Sequence, residues 1–236
     1  MGGDIMNEFI LIFSLVIEFA LVLLAYRMFG RTGLYAMSVF CTVVANIEVV
    51  ILINAFGMEQ TLGNILFACS FLITDILSEN ESKRAANKAV NMGIFISIIF
   101  VVITQSWLIY NPSPNDFAME SVKTLFSNTP RIILTSLFVY AVCQKLDVWL
   151  YHKIWKITEI KCGDSKRFLW LRNNGSTLIS QLLNSFLFNI GAFLGTYGFA
   201  TALKISLSSY VIYVFTSLLD TPVVYIARHI KKKHKI

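Results

Sequence analysis

Apolar residues in this chain come in long unbroken runs rather than in the alternation of a half-buried strand or the narrow stripe of a surface helix. Runs long enough to cross a bilayer fall at about 8–29, 33–56, 62–80, 89–110, 130–153, 175–200 and 205–227. They predict seven transmembrane helices. The third is short and contains Asn64, Thr74 and Asp75, so a re-entrant or strongly tilted segment is its alternative. Between the fourth and fifth lies the longest polar connection, "NPSPNDFAMESVKTLFSNTPR" from Asn111 to Arg131. There Pro112 and Pro114 break one helix, Pro130 suits the first turn of the next, and a short surface helix fits between.

Composition agrees with that pattern. Of 236 residues, 56% are hydrophobic and 14% charged, and mean hydropathy is +0.66; soluble chains carry about 25% charged residues. No Ser/Gly-rich or low-complexity linker divides the chain, so residues 1–236 read as a single integral membrane domain. The first run follows a leader containing Asp4 and Glu8, is long, and is followed by Arg27, which predicts a retained helix rather than a signal peptide.

The net charge of +6 would suit a nucleic-acid partner if it were patched. It is instead sorted by loop. With the N-terminus outside, the cytoplasmic segments hold Arg27 and Arg31; Lys83, Arg84 and Lys88; Lys153, Lys156, Lys161, Lys166, Arg167 and Arg172; and Arg228, Lys231, Lys232, Lys233 and Lys235, sixteen of the 20 basic residues. The outer side holds Lys123, Arg131 and Lys204, and Lys145 lies within a helix. This is the positive-inside asymmetry, and an even number of spans would put a strongly basic segment outside. The prediction is an all-α polytopic membrane bundle, N-terminus outside and C-terminus cytoplasmic. Its partner is the lipid bilayer and not nucleic acid.

Cys41, Cys69, Cys143 and Cys162 have no CxxC spacing, and His152, His229 and His234 sit at helix ends or in the tail. Neither set forms a metal site, and no cofactor is expected.

Polar side chains at hydrocarbon depth are costly and need a purpose. Asn46 and Glu48 lie in the second run. Asp75 and Glu79 stand at i and i+4 in the third, on one helix face. Gln144 and Asp147 follow Tyr140 in the fifth, and "RNNGSTLISQLLNSFLF" opens the sixth with Asn173, Ser176, Thr177, Ser180, Gln181 and Asn184. Ser, Thr and Asn often only stitch helices together. Glu18 and Asp220 read as capped or interfacial groups, and Glu79 can pair with Lys83 one turn on. Asp75, Gln144, Asp147, Gln181 and Asn184 come from three runs and are explained best by convergence on each other or on a ligand. Lys145 is placed to neutralise a carboxylate on an adjacent helix. Amides and carboxylates beside Phe71, Tyr140, Trp149, Phe186 and Phe188 suit a flat heteroaromatic solute, since rings stack and amides read edges. Residue chemistry alone reaches a transporter of a small polar solute.

Three segments, "TLGNILFACSFLITDILSENESKRAA", "RIILTSLFVYAVCQKLDVWLYHKI" and "FLWLRNNGSTLISQLLNSFLFNIGAFLG", resemble the queuosine precursor transporter family, also called vitamin-uptake-like proteins. The likeness is close over about 61–200, with a family core of about 33–228 in which six helices follow the N-terminal one. It implies import of a 7-deazaguanine base, such as queuine or its aminomethyl and cyano precursors, for tRNA modification salvage. It implies that Asp75 and Glu79 are the family's acidic pair, Arg131 its helix-opening arginine, Gln144 and Asp147 its Q..D, and Arg172, Asn173, Ser176, Thr177 and Gln181 its RN..ST….Q. On this reading Asn46, Glu48, Asp75, Arg131, Tyr140, Gln144, Asp147, Asn173, Ser176, Gln181 and Asn184 bind substrate. Glu79, Lys145, Arg172 and Thr177 brace or gate. The chain departs from the family at Asn184, usually aspartate, and at Glu81–Ser82, usually tyrosine-glycine. The second change is expected to affect only a cytoplasmic turn.

No Walker motif occurs, so the chain does not itself hydrolyse ATP. The alternative is a substrate-binding subunit energised by a separate ATP-driven module, with "AANKA" (Ala85 to Ala89) as docking face. A membrane enzyme would need a nucleophile–base pair or metal ligands, and none is placed. The oligomeric state is left open.

Overall fold

A computed structural model describes residues 2–127, 130–193 and 198–234 of the chain. Its elements in order are α1 (Gly2–Glu48), β1 (Leu52–Ala55), β2 (Met58–Thr61), α2 (Asn64–Asn80), α3 (Lys83–Trp107), α4 (Met119–Phe126), α5 (Pro130–Cys162), α6 (Leu169–Phe193) and α7 (Phe199–His234). The α1 helix breaks at Gly30 (φ 59, ψ −143), a conformation open to glycine and costly for other residues. Its arms, 2–29 and 31–48, therefore fold back on each other, and the seven long helical segments follow the seven apolar runs.

Helical structure stops earlier in the second run than the apolar pattern predicts. Past Glu48 come Val49, Val50 and Ile51, then the β1–β2 hairpin, which pairs Leu52 with Thr61 and Ala55 with Met58. Branched side chains favour strand, and Phe56 and Gly57, both at positive φ (55 and 68), form the two-residue turn that matches strand twist. Among the described residues the fold is all-α apart from this hairpin. Two bonds pin it to the first arm of α1. Glu8 Oε1 accepts from Phe56 N at 2.9 Å, and Asn7 Nδ2 donates to Asn54 O at 2.9 Å.

These contacts bring the start of α1, the hairpin and the start of α2 to one end of the bundle. Tyr26, Glu81, Arg172 and Lys231 meet at the other. Successive long segments thus alternate in direction, and the basic loops share one end.

The short third run is one continuous helix, not a re-entrant segment. Fifteen of the 17 residues of α2 are buried, with α1, α3, α5 and α7 packed round it. A helix surrounded by protein needs neither full bilayer length nor an apolar surface. By length and composition alone, three stretches among the described residues are fit to cross a membrane: Ile5–Glu48, Lys83–Trp107 and Phe199–Lys233. The bundle is apolar outside and polar within: Phe9, Phe13, Phe95, Val102 and Phe215 are exposed, while Asp75, Gln144, Asp147, Asn173 and Ser180 are wholly buried. Lipid as solvent demands this inversion.

In the long connection, α4 is the expected short surface helix. Asp116 Oδ2 accepts from Met119 N at 2.8 Å to cap it, and Phe126 packs edge-on against Phe100 and Trp107.

Candidate functional site

The polar residues form three layers along the bundle axis. Nearest the hairpin, adjoining small cavities lie among α1, α2, α5, α6 and α7. Their walls combine Asn46, Asn64, Asn184, Ser136 and Thr61 with Phe67, Tyr140, Phe188 and Tyr213. Tyr213 OH donates to Asn64 Oδ1 at 2.8 Å, and Phe67 meets Tyr140 edge-on at 6.0 Å. Leu52, Glu59, Gln60 and Thr61 of the hairpin form the mouth. The three cavities measure about 30, 20 and 40 Å³, against roughly 300–1,000 Å³ for a pocket holding a small molecule. As they stand, they are too small to hold a small molecule. A larger apolar crevice of about 300 Å³, between α1, the hairpin, α2 and α7, offers only Gln60 and Thr216 as polar groups, too few to orient a polar solute.

One turn deeper, Gln144 joins α5 to α2. Its Nε2 donates to Ser70 Oγ at 2.6 Å and its Oε1 lies 3.2 Å from Thr74 Oγ1. On α6, Asn184 Nδ2 donates to Gln181 Oε1 at 3.2 Å. Beneath lie three aspartates on three helices. Thr177 Oγ1 donates to Asp75 Oδ2 at 3.1 Å, and Asn173 Nδ2 donates to Asp220 Oδ1 at 2.7 Å. Asp147 faces Asp75, Ser176, Thr177 and Ser180, yet neither of its oxygens, nor Asp75 Oδ1, nor Asn173 Oδ1, has a well-formed hydrogen bond among the described residues.

The basic end is sealed by ions. Arg172 Nε and Nη2 donate to the two oxygens of Glu79 at 2.9 and 2.8 Å, and Tyr151 OH adds a bond to Glu79 Oε2 at 2.8 Å. Arg228 Nε approaches Glu79 to 3.7 Å, and the Arg172 guanidinium stacks on Trp155 at 4.1 Å. Beside this, Glu81 accepts from Tyr26 OH at 3.0 Å and pairs with Lys231 at 3.2 Å. Five helices, α1, α2, α5, α6 and α7, are thus tied together on the side away from the cavities.

Several expectations change. Glu79 pairs with Arg172 across the bundle, not with Lys83, because its face of α2 points inward. Lys145 is exposed and donates to Asn91 Oδ1 at 2.8 Å, so it neutralises no buried carboxylate. Glu48 is half-buried at the end of α1 and outside the layered group. Trp149 is exposed and carries Lys153 over its ring at 4.4 Å, away from the site. The side chain of Arg131 lies outside the described residues. The Glu81–Ser82 departure is more than a turn: Glu81 makes the second ion pair, and Ser82 Oγ caps α3 by accepting from Ala85 N at 3.1 Å. Ala85, Ala86 and Ala89 are buried inside the bundle and offer no docking face.

Sequence reasoning missed Asp220, Asn64 and Tyr213 as site residues. A lone carboxylate followed by Thr221–Pro222 in the last apolar run was the available signal for Asp220; Tyr213 had none.

The family described as "Putative vitamin uptake transporter" matches residues 61–227. The chain belongs to the vitamin uptake transporter family. It is a membrane transporter, not an enzyme. A relative from Bacillus subtilis (strain 168), named "Probable queuosine precursor transporter", is 38% identical over 222 residues, 94% of this chain and 95% of its own length. No solved structure matches the chain.

Proposed function

We propose that this chain imports a queuosine precursor, a 7-deazaguanine base, across a prokaryotic plasma membrane. The observation that carries the reading is the near full-length identity to the Bacillus subtilis relative. The chemistry of the site supports it. A fused heteroaromatic base presents flat faces and an edge of mixed donors and acceptors; Phe67, Tyr140, Phe188 and Tyr213 suit the faces, and Asn184, Gln181 and Gln144 suit the edge. Asp75, Asp147, Asn173 and Ser176 form the floor.

Seven alternating segments with the basic loops at one end support an outside N-terminus and a cytoplasmic C-terminus. On that topology the cavities face outward and the Glu79–Arg172 seal faces the cytoplasm. Import then requires the seal to open as the hairpin side closes. Pro222 removes one backbone bond of α7 two residues past Asp220, a natural place for that helix to bend.

Uptake of labelled queuine and its aminomethyl and cyano precursors into cells lacking their own precursor synthesis tests this. Uptake above the vector control, with the chain as sole addition, is the expected result. Absence of uptake of all three bases at normal membrane abundance rules the reading out.

A further inference from the structure

We propose that Asp75, Asp147 and Asp220 form a proton-carrying site, so that the chain is a proton-coupled importer. The inference deepens the transport reading and rests on it only for the coupling, not for the proton itself.

Three carboxylates from α2, α5 and α7 are gathered where each is buried to 3% exposure or less. None of the ion pairs among the described residues reaches them. The guanidinium of Arg172 is held by both oxygens of Glu79. The other titratable neighbours, Cys69, Cys143 and Tyr151, bring no positive charge. The polar groups of α6 supply Thr177 to Asp75 and Asn173 to Asp220. That leaves Asp75 Oδ1, both oxygens of Asp147 and the Asn173 carbonyl oxygen, all buried, without a well-formed hydrogen bond among the described residues.

Such a set lacks a positive ligand. Bare carboxylates in so dry a place are prohibitive. Asp75 and Asp147 lie within hydrogen-bonding reach of each other, a geometry in which one proton is shared, because two like charges so close cannot both persist. A sodium ion would need its oxygens held apart around it. When the cluster is reached from the hairpin side, a carboxylate oxygen takes a proton and donates the new O–H to its partner. When the Glu79–Arg172 seal opens, the O–H bond breaks and the proton leaves to cytoplasmic water.

Two measurements on the full-length protein in lipid decide the matter. Infrared difference spectroscopy needs no substrate. Wild type should show a protonated-carboxyl band at neutral pH that shifts in heavy water and falls by at least half in Asp147→Asn. Glu18→Gln controls for the half-buried carboxylate held by Cys69. A band unchanged in Asp147→Asn and in Asp75→Asn, with both variants folded, overturns the site.

In liposomes, counterflow of labelled queuine without any gradient reads transport alone. Counterflow with up to about tenfold accumulation per unit of inside-alkaline pH gradient is the expected result, and Asp147→Asn should lower accumulation to onefold or less while exposed Glu120→Gln does not. Counterflow indifferent to pH, or driven by sodium instead, overturns proton coupling. Failure of counterflow with every base would overturn the substrate proposal, while the infrared band still decides the proton.

Discussion

Asn184 stands at the cavity wall with its amide on Gln181, at a position where the family resemblance implies aspartate. An amide both donates and accepts, whereas a carboxylate only accepts and adds charge. Asn184→Asp should therefore favour cationic aminomethyl bases over the neutral cyano base, by about 1–3 kcal/mol if contact is direct. Competition assays with both bases measure it, and unchanged selectivity would make Asn184 a packing residue. Gln144→Ala removes the donor to Ser70 Oγ and the acceptor of Thr74 Oγ1 and opens the polar centre; uptake should fall severalfold at normal abundance. Gly93 tests the cavity from behind. A Cβ there would collide with the Tyr140 hydroxyl, so Gly93→Ala should displace that ring and weaken uptake while the helix, freed of a glycine, persists. Normal transport by Gly93→Ala would place Tyr140 outside the substrate path.

Among elements, the contact between α2 and α6 is set by two bonds with different duties. Thr177 on Asp75 belongs to the centre, and Arg172 on Glu79 to the seal. Removing one partner of a buried ion pair strands the other, at about 3–5 kcal/mol. Glu79→Ala should accordingly lower thermal stability in detergent more than Glu81→Ala, whose partner Lys231 is one-third exposed and screened by solvent. Equal melting temperatures would mean that Arg172 finds other partners. At the α1 break, Gly30→Ala should cost about 1–3 kcal/mol because its backbone lies where a Cβ clashes. A scan of thermal unfolding reads both effects.

At the scale of the molecule, the topology has a built-in probe. Cys41, Cys69 and Cys143 are buried, and Cys162 is exposed at the end of α5, beside the basic loop. An impermeant thiol reagent applied to intact cells should spare the native chain and label Ser113→Cys, and it should reach Cys162 only after the membrane is opened. Equal labelling of both loops in intact cells would refute the outside N-terminus.

Periodicity, length and loop charge were enough to determine helical class, the positions of seven segments and the basic end. These are properties of a chain in contact with lipid and water, and each residue contributes to them independently. The polar pattern also marked Asp75, Gln144, Asp147 and Asn184 as inward groups, since hydrocarbon leaves them no other place. Partnership was decided only by the tertiary structure. Glu79 had a neighbour in sequence at Lys83 and found Arg172 instead, 93 residues away; Asp220, isolated in its own run, was brought under Asn173; and an apolar stretch after Glu48 became a hairpin. A side chain's cost is written in its own chemistry, but its partner depends on which helix faces lie opposite, and packing alone sets that.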